Sequence, residues 1–126
     1  MIGYGAKTEE STAFHVAVYD MVQQIPRGQV CTYGHIARLI GRPENSRQVG
    51  FALKHLPNPR DVERREEMEF HSGNVPWWRV INSQGKISFL KWREHQLVKL
   101  REEIEITDDG EVDLEQYGWF PDEEEL

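Results

Sequence analysis

Apolar positions recur at helical spacing near the start of the chain. Phe14, Val18, Met21, Val22 and Ile25 share one side, so residues 13–24 are expected to form an amphipathic helix. Ser11 or Thr12 is placed to cap it, and Pro26-Arg27-Gly28 to stop it. After the short entry segment Val30-Cys31, Thr32 is a cap for a second helix, 33–40, ended by Gly41 with Pro43 beyond. Asn45 or Ser46 opens a third helix, 47–55, with Val49, Ala52, Leu53 and Leu56 as its buried side and Pro57-Asn58-Pro59 closing it. Residues 75–81 read as a strand, Asn82-Ser83-Gln84-Gly85 as a turn and 86–89 as a second extended piece, together a small hairpin. A last helix is expected over 95–103, with Leu97, Leu100 and Ile104 inward. The pattern predicts a mainly α fold with a small β-hairpin. Residues 1–10 read as a flexible N-terminus, 11–106 as the folded body, and 107–126 as an acidic C-terminal tail. Within the body, 60–74 is a charged insertion, either a surface loop or a short solvated helix.

Composition narrows the functional classes. A length of 126 residues fits one domain. The single cysteine, Cys31, excludes a disulfide framework and a cysteine-based zinc site. The five histidines show no metal spacing, and no carboxylate pair suggests hydrolysis, so neither metal nor cofactor is expected. No run approaches the about 18 apolar residues of a membrane span, and the first residues lack the apolar core of a signal peptide. A soluble, intracellular monomer is expected, nuclear in a eukaryote or cytoplasmic in a bacterium.

The net charge of −7 argues against nucleic acid until its placement is considered. All 15 Lys and Arg lie at or before Arg101, and 12 of the 22 acidic residues lie after it. The first 101 residues therefore carry 15 basic and 10 acidic side chains, a net of +5. A basic body with an acidic end is compatible with DNA binding.

Two features carry candidate chemistry. Helix 33–40, the turn after it and helix 47–55 have helix-turn-helix proportions. Then comes Pro76-Trp77-Trp78-Arg79-Val80-Ile81. An indole has no thiol and no titratable proton near neutral pH, and its ring nitrogen donates a hydrogen bond but accepts none. Trp77 and Trp78 can stack on a base or line a pocket; neither can be a nucleophile or a general base. Alternation along a strand would bury one and turn the other towards a cavity.

This segment resembles the Pro-Cys-His-Arg-Val-Ile active-site segment of the O6-alkylguanine-DNA alkyltransferases, with Trp77 at the Cys position and Trp78 at the His position. A tryptophan at the Cys position is the mark of the alkyltransferase-like proteins, which bind alkylated guanine without repairing it. The resemblance extends to Gly28-Gln29-Val30-Cys31-Thr32-Tyr33-Gly34-His35-Ile36-Ala37, similar to the family's Gly-x-Val-Ser-Thr-Tyr-Gly-x-Ile-Ala. It also covers Arg47-Gln48-Val49-Gly50-x-Ala52-Leu53, similar to Arg-x-Val-Gly-x-Ala. It implies a winged-helix-like helix-turn-helix domain of the alkyltransferase C-terminal type, set in the minor groove of duplex DNA.

By this resemblance Tyr33 pushes on the phosphate 3′ to the target and Arg47 replaces the flipped base in the stack. Gln48 lies on the same DNA-facing helix, and Gly50 and Ala52 keep its contact with the groove floor close. Flipping costs a few kcal/mol of unstacking, which a stacking filler offsets. The lesion pocket is expected from Val75, Pro76, Trp77, Trp78 and Arg79 with Lys91, Trp92 and Arg93. Val75 and Pro76 would offer backbone groups to the base edge, Arg79 would be a structural brace, and Lys91 or Arg93 the basic residue of the loop after Ile87-Ser88. The implied partners are DNA containing O6-alkylguanine and the nucleotide excision repair proteins. Two departures stand out: Trp78 replaces the usual His, and 60–74 lengthens the connection before the pocket. The rival readings are a helix-turn-helix regulator of undamaged DNA and an alkyltransferase with another nucleophile. For the latter, Cys31 is the only thiol.

Overall fold

In a computed structural model, which describes residues 9–58, 60, 69–87, 92–122 and 124, the chain folds around two apolar clusters joined by a very short sheet. The helices are α1 (Glu9–Val22), α2 (Tyr33–Leu39), α3 (Ser46–Lys54), α4 (Arg93–Arg101) and α5 (Leu114–Tyr117). The strands are β1 (Cys31–Thr32) and β2 (Val80–Ile81), and 3-10 turns occupy Pro43–Asn45 and Trp77–Arg79.

The first cluster is made by Val18, Val22 and Ile25 with Ile36, Ala37, Val49 and Ala52, all at most 1% exposed. The second holds Val30, Ile81, Ile87, Leu97, Leu100, Ile104 and Val112. β2, and β1 together with Val30 just before it, each supply one residue to either cluster. Cys31 pairs with Val80 and both face the first cluster, whereas Val30 and Ile81, one residue away, face the second. Successive side chains on an extended chain point to opposite faces, so two residues of pairing serve both cores.

The capping arithmetic holds at α2. Thr32 Oγ1 accepts from the His35 amide at 3.1 Å. At its other end Gly41 adopts φ +77°, and the Arg42 amide reaches back to the Ala37 carbonyl at 2.8 Å, a closure that favours glycine. At α1 the helix already covers Ser11 and Thr12, so neither caps it. At α3 the helix begins at Ser46 after the 3-10 turn, and the Asn45 side chain makes no cap bond. α4 begins two residues earlier than expected, at Arg93.

Among the described residues the expected hairpin is replaced by a parallel pair, and residues 88–89 of its second arm lie outside them. β1 and β2 are separated by α2 and α3, the long crossover that a parallel pairing requires. The stretch 75–81 is not one strand, because Pro76 has no N–H for a ladder and the chain coils after it. The Trp77 amide donates to the Val75 carbonyl at 2.7 Å and the Arg79 amide to the Pro76 carbonyl at 3.0 Å. The turn after β2 forms as expected, with Asn82 Oδ1 accepting from the amides of Gln84 and Lys86. It directs Lys86 to an antiparallel bridge with Glu111, not back along 75–81.

The acidic segment after Arg101 is woven into the body. The Val30 amide donates to the Tyr117 carbonyl at 2.8 Å, and the Trp119 amide to the Val30 carbonyl at 2.7 Å. Val112, Leu114 and Tyr117 join the second cluster and Trp119 packs against the first. Val112 is buried and Leu114, Tyr117 and Trp119 are half-buried, so this part of the acidic segment packs on the folded body. Residues 1–8 and most of the insertion, 61–68, lie outside the described residues.

Candidate DNA-lesion pocket

α3, the turn at Trp77 and α4 enclose a cavity of about 390 Å³. Tyr33 and the α3 residues Gly50, Leu53 and Lys54 form one wall; Trp77, with Ser72 and Gly73 before it, forms the second. Trp92, Arg93, His95, Gln96 and Lys99 form the third, and Leu56, Asn58 and Arg60 complete the rim. A cavity of this size is in the range of small-ligand sites. Among the described residues its charged lining is entirely basic: Lys54, Arg60, Arg93 and Lys99.

Of the residues singled out in sequence, Tyr33, Gly50, Trp77, Trp92 and Arg93 meet at this cavity. Arg47 and Gln48 stand exposed on the outer surface of α3, outside the lining. Ala52 is fully buried, and the Tyr19 hydroxyl donates to its carbonyl at 2.8 Å. Its small size therefore serves the packing of α1 on α3, not the outer surface of α3. Gly50 differs. A Cβ there would sit 3.5 Å from the Tyr33 ring, an ordinary contact, so the fold itself does not require glycine. Val75 and Pro76 are buried behind the wall. The Val75 amide already donates to the His71 carbonyl at 3.1 Å, so it is not an open donor for a base edge. Lys91 lies outside the described residues.

Trp78 and Arg79 stand behind the pocket in a closed polar cluster around Glu103, whose side chain is 2% exposed. Arg79 grips this carboxylate with two donors, Nε at 2.9 Å from Oε1 and Nη2 at 3.0 Å from Oε2, while its Nη1 donates to the Ile25 carbonyl. Trp78 Nε1 donates to Oε2 at 2.9 Å and the Gly28 amide to Oε1 at 3.0 Å. Burial would raise the pKa of Glu103, but the Arg79, Gly28 and Trp78 donors and the Arg79 charge outweigh it and hold the carboxyl below its usual value. Arg79 is thus a brace, as the sequence implied. The indole of Trp78 fills the donor role that a histidine would otherwise be free to exchange for an acceptor role. The Arg79 guanidinium and the Lys99 ammonium both lie over the Trp78 ring, at 5.5 and 4.5 Å from its centroid. Trp77 meets Trp78 edge to face, with ring centroids 6.0 Å apart. Trp77 is therefore at the cavity, and Trp78, half-buried and not a core residue, is locked outside its lining; a 3-10 turn and not a strand carries them.

Sequence reasoning placed Trp92 and Arg93 on the third wall but missed His95, Gln96 and Lys99. Trp92, His95, Gln96 and Lys99 are spaced i, i+3, i+4 and i+7, the signature of one helix face, and that spacing was available to be read. Gln96 is 7% exposed, and its amide donates to the carbonyls of Trp78 and Val80, tying α4 to the turn that carries both tryptophans. Glu103 carried no local signal, since its partners come from residues 24 to 75 positions away.

Comparison with known proteins accords with this geometry. Residues 13–104 match the family described as 6-O-methylguanine DNA methyltransferase, DNA binding domain, and the chain belongs to that family. It is 42% identical over 111 residues to a DNA base-flipping protein of Vibrio parahaemolyticus, covering 86% of this chain and 97% of that one. It is 44% identical over 116 residues to alkyltransferase-like protein 1 of Schizosaccharomyces pombe, covering 86% and 95%. Among solved structures it resembles S. pombe Atl1 in complex with damaged DNA containing O6-carboxymethylguanine. There the TM-score is 0.66 at 39% identity, over 92% of this chain and all of that one.

Proposed function

We propose that this protein is a non-catalytic sensor of O6-alkylguanine in duplex DNA, which rotates the damaged nucleotide into the 390 Å³ cavity and holds it without removing the alkyl group. The observation that carries the reading is a base-sized cavity with an indole on its wall and no thiol within reach. Alkyl transfer to sulfur requires a thiolate. The only cysteine, Cys31, is 0% exposed in the first core, and burial, only partly offset by a backbone hydrogen bond, pushes its thiol up to about 12. Trp77, at the position that resembles the alkyl acceptor, offers a face for stacking and nothing to alkylate. Tyr33 at the foot of α2 and Arg47 on α3 take the phosphate-pushing and stack-filling roles, and Trp92 and Arg93 close the pocket over the base. A lesion that is bound and left chemically intact needs other enzymes to remove it, which is the ground for inferring hand-over to nucleotide excision repair.

The test is a pair of matched duplexes, with and without one O6-methylguanine, followed by intact-mass measurement of the protein. The lesion duplex is expected to bind more tightly, with affinity falling as salt rises, and the mass is expected to stay unchanged. A stoichiometric methyl adduct would overturn the sensor reading. Equal affinity for both duplexes would instead favour a regulator that reads undamaged DNA.

A further inference from the structure

α3 carries a second feature directed away from both the core and the pocket. Arg47, Phe51 and His55 are spaced i, i+4 and i+8 and form one outer stripe, Arg47 and His55 exposed and Phe51 57% exposed. The His55 ring stacks on Phe51, with centroids 4.1 Å apart and planes 29° apart. His55 Nδ1 lies 2.8 Å from the Phe51 carbonyl, which can only accept, so Nδ1 is the donor and the imidazole is anchored to its own helix. The result is a fixed aromatic plate on the surface. Single exposed apolar side chains are common and need no explanation. This one is an aromatic pair on a helix with Arg47 and Lys54 and no carboxylate. A surface both cationic and stackable complements a partner with negative charge around flat apolar faces, which describes stacked bases between phosphates.

We infer that Phe51 is a second DNA-contacting wedge, entering a base step of the duplex one helical turn beyond Arg47 and helping to kink it. The inference rests on the base-flipping reading, which sets α3 against the duplex. One turn of helix advances about 5.4 Å and one base step about 3.4 Å, so the step entered lies one or two from the flipped nucleotide. Apolar side chains inserted from the minor groove unstack a step and bend the duplex towards the major groove. Bending there relieves the strand that must release its nucleotide, so wedge and finger act on the same deformation from neighbouring positions.

The experiment uses the full chain and a duplex carrying one O6-methylguanine, end-labelled for energy transfer so that affinity and bend are read together. Phe51→Ala is expected to weaken binding roughly tenfold, the scale of a lost base–aromatic stack, and to reduce the bend. Phe51→Tyr, which keeps the ring, should bind and bend like the parent. The melting temperature of each should stay near the parent's, because the ring is exposed. Val98→Ala, which removes a 62% exposed apolar side chain on α4 outside the pocket lining, is the surface control. If the parent prefers the lesion duplex yet Phe51→Ala binds and bends as the parent does, the wedge is overturned and the flipping reading stands. Weaker binding by Phe51→Ala with the bend unchanged would also overturn insertion, leaving Phe51 as a groove-wall contact. A parent with no preference for the lesion duplex would overturn the flipping reading and the wedge with it.

Discussion

The open pocket at Trp77 and the closed cluster at Glu103 lie on either side of one 3-10 turn, yet they follow opposite rules. The pocket wall is apolar and basic and largely half-exposed. The cluster is closed around its one carboxylate, which takes donors from three residues, Gly28, Trp78 and Arg79. Adjacent tryptophans divide between them. Trp77 presents a face, whereas Trp78 is engaged through its Nε1 and its ring. A site that binds without reacting needs both parts: a receptive surface, and a frame rigid enough that accepting a base does not cost further ordering.

The frame is where the largest effect is expected. Glu103→Ala leaves the Arg79 guanidinium, 12% exposed, with the Trp78 and Gly28 N–H groups lacking their acceptor. Removing one partner of a buried ion pair costs about 3–5 kcal/mol, which urea denaturation will read. The pH dependence has a definite sign. The Glu103 carboxyl is depressed in the folded state, so its contribution is fully present above the ordinary value of 4.5 and is lost as pH falls through the depressed one. The acid limb of stability should therefore be steeper in the parent than in Glu103→Gln. Equal limbs would show that the cluster does not hold the carboxylate charged.

The two tryptophans should then separate binding from stability. Trp77→Ala is expected to lower lesion affinity by about 1–3 kcal/mol, the scale of a stacking contact, while costing less stability than Glu103→Ala. Trp78→Phe keeps a ring beneath Arg79 and Lys99 but deletes the donor to Glu103. It should cost about 1 kcal/mol of stability or a little more and leave lesion affinity within about twofold. Should Trp78→Phe lower affinity as much as Trp77→Ala, the frame and the pocket are not separable.

Much of this division was legible in the sequence, and the exceptions have physical causes. Thr32 and Gly41 delimit α2 because a cap and a left-handed closure are local, set by residues a few positions apart. Trp77, Trp92 and Arg93 could be placed at one pocket because motif resemblance carries three-dimensional information that periodicity lacks, whereas Tyr33 and Gly50, expected on the DNA-facing helices, turn out to line it as well. The strand over 75–81 failed because alternation cannot register that Pro76 withholds an N–H. The parallel pair of β1 and β2 left no trace, since two-residue strands show no period and their partners lie 49 residues apart. Ala52 appeared to belong with Gly50 because both are small, yet one is small for Tyr19 and the core, the other for the outside.

That last contrast gives the smallest expected effect and the cleanest sign. Gly50→Ala places a methyl 3.5 Å from the Tyr33 ring, within ordinary contact, on a position lining the pocket. Glycine inside a helix is less stable than alanine by roughly 0.5–1 kcal/mol, so the variant should melt at or slightly above the parent temperature. If α3 lays its backbone against the groove floor, that same methyl holds the helix off the DNA and affinity for the lesion duplex falls. Stability and affinity should thus move in opposite directions in one protein sample. Ala52→Gly, at the fully buried position two residues on, should lose stability through the helix and the small void left beside Tyr19. A Gly50→Ala variant that is both more stable and as tight a binder would show that the glycine does not mark where the protein approaches DNA.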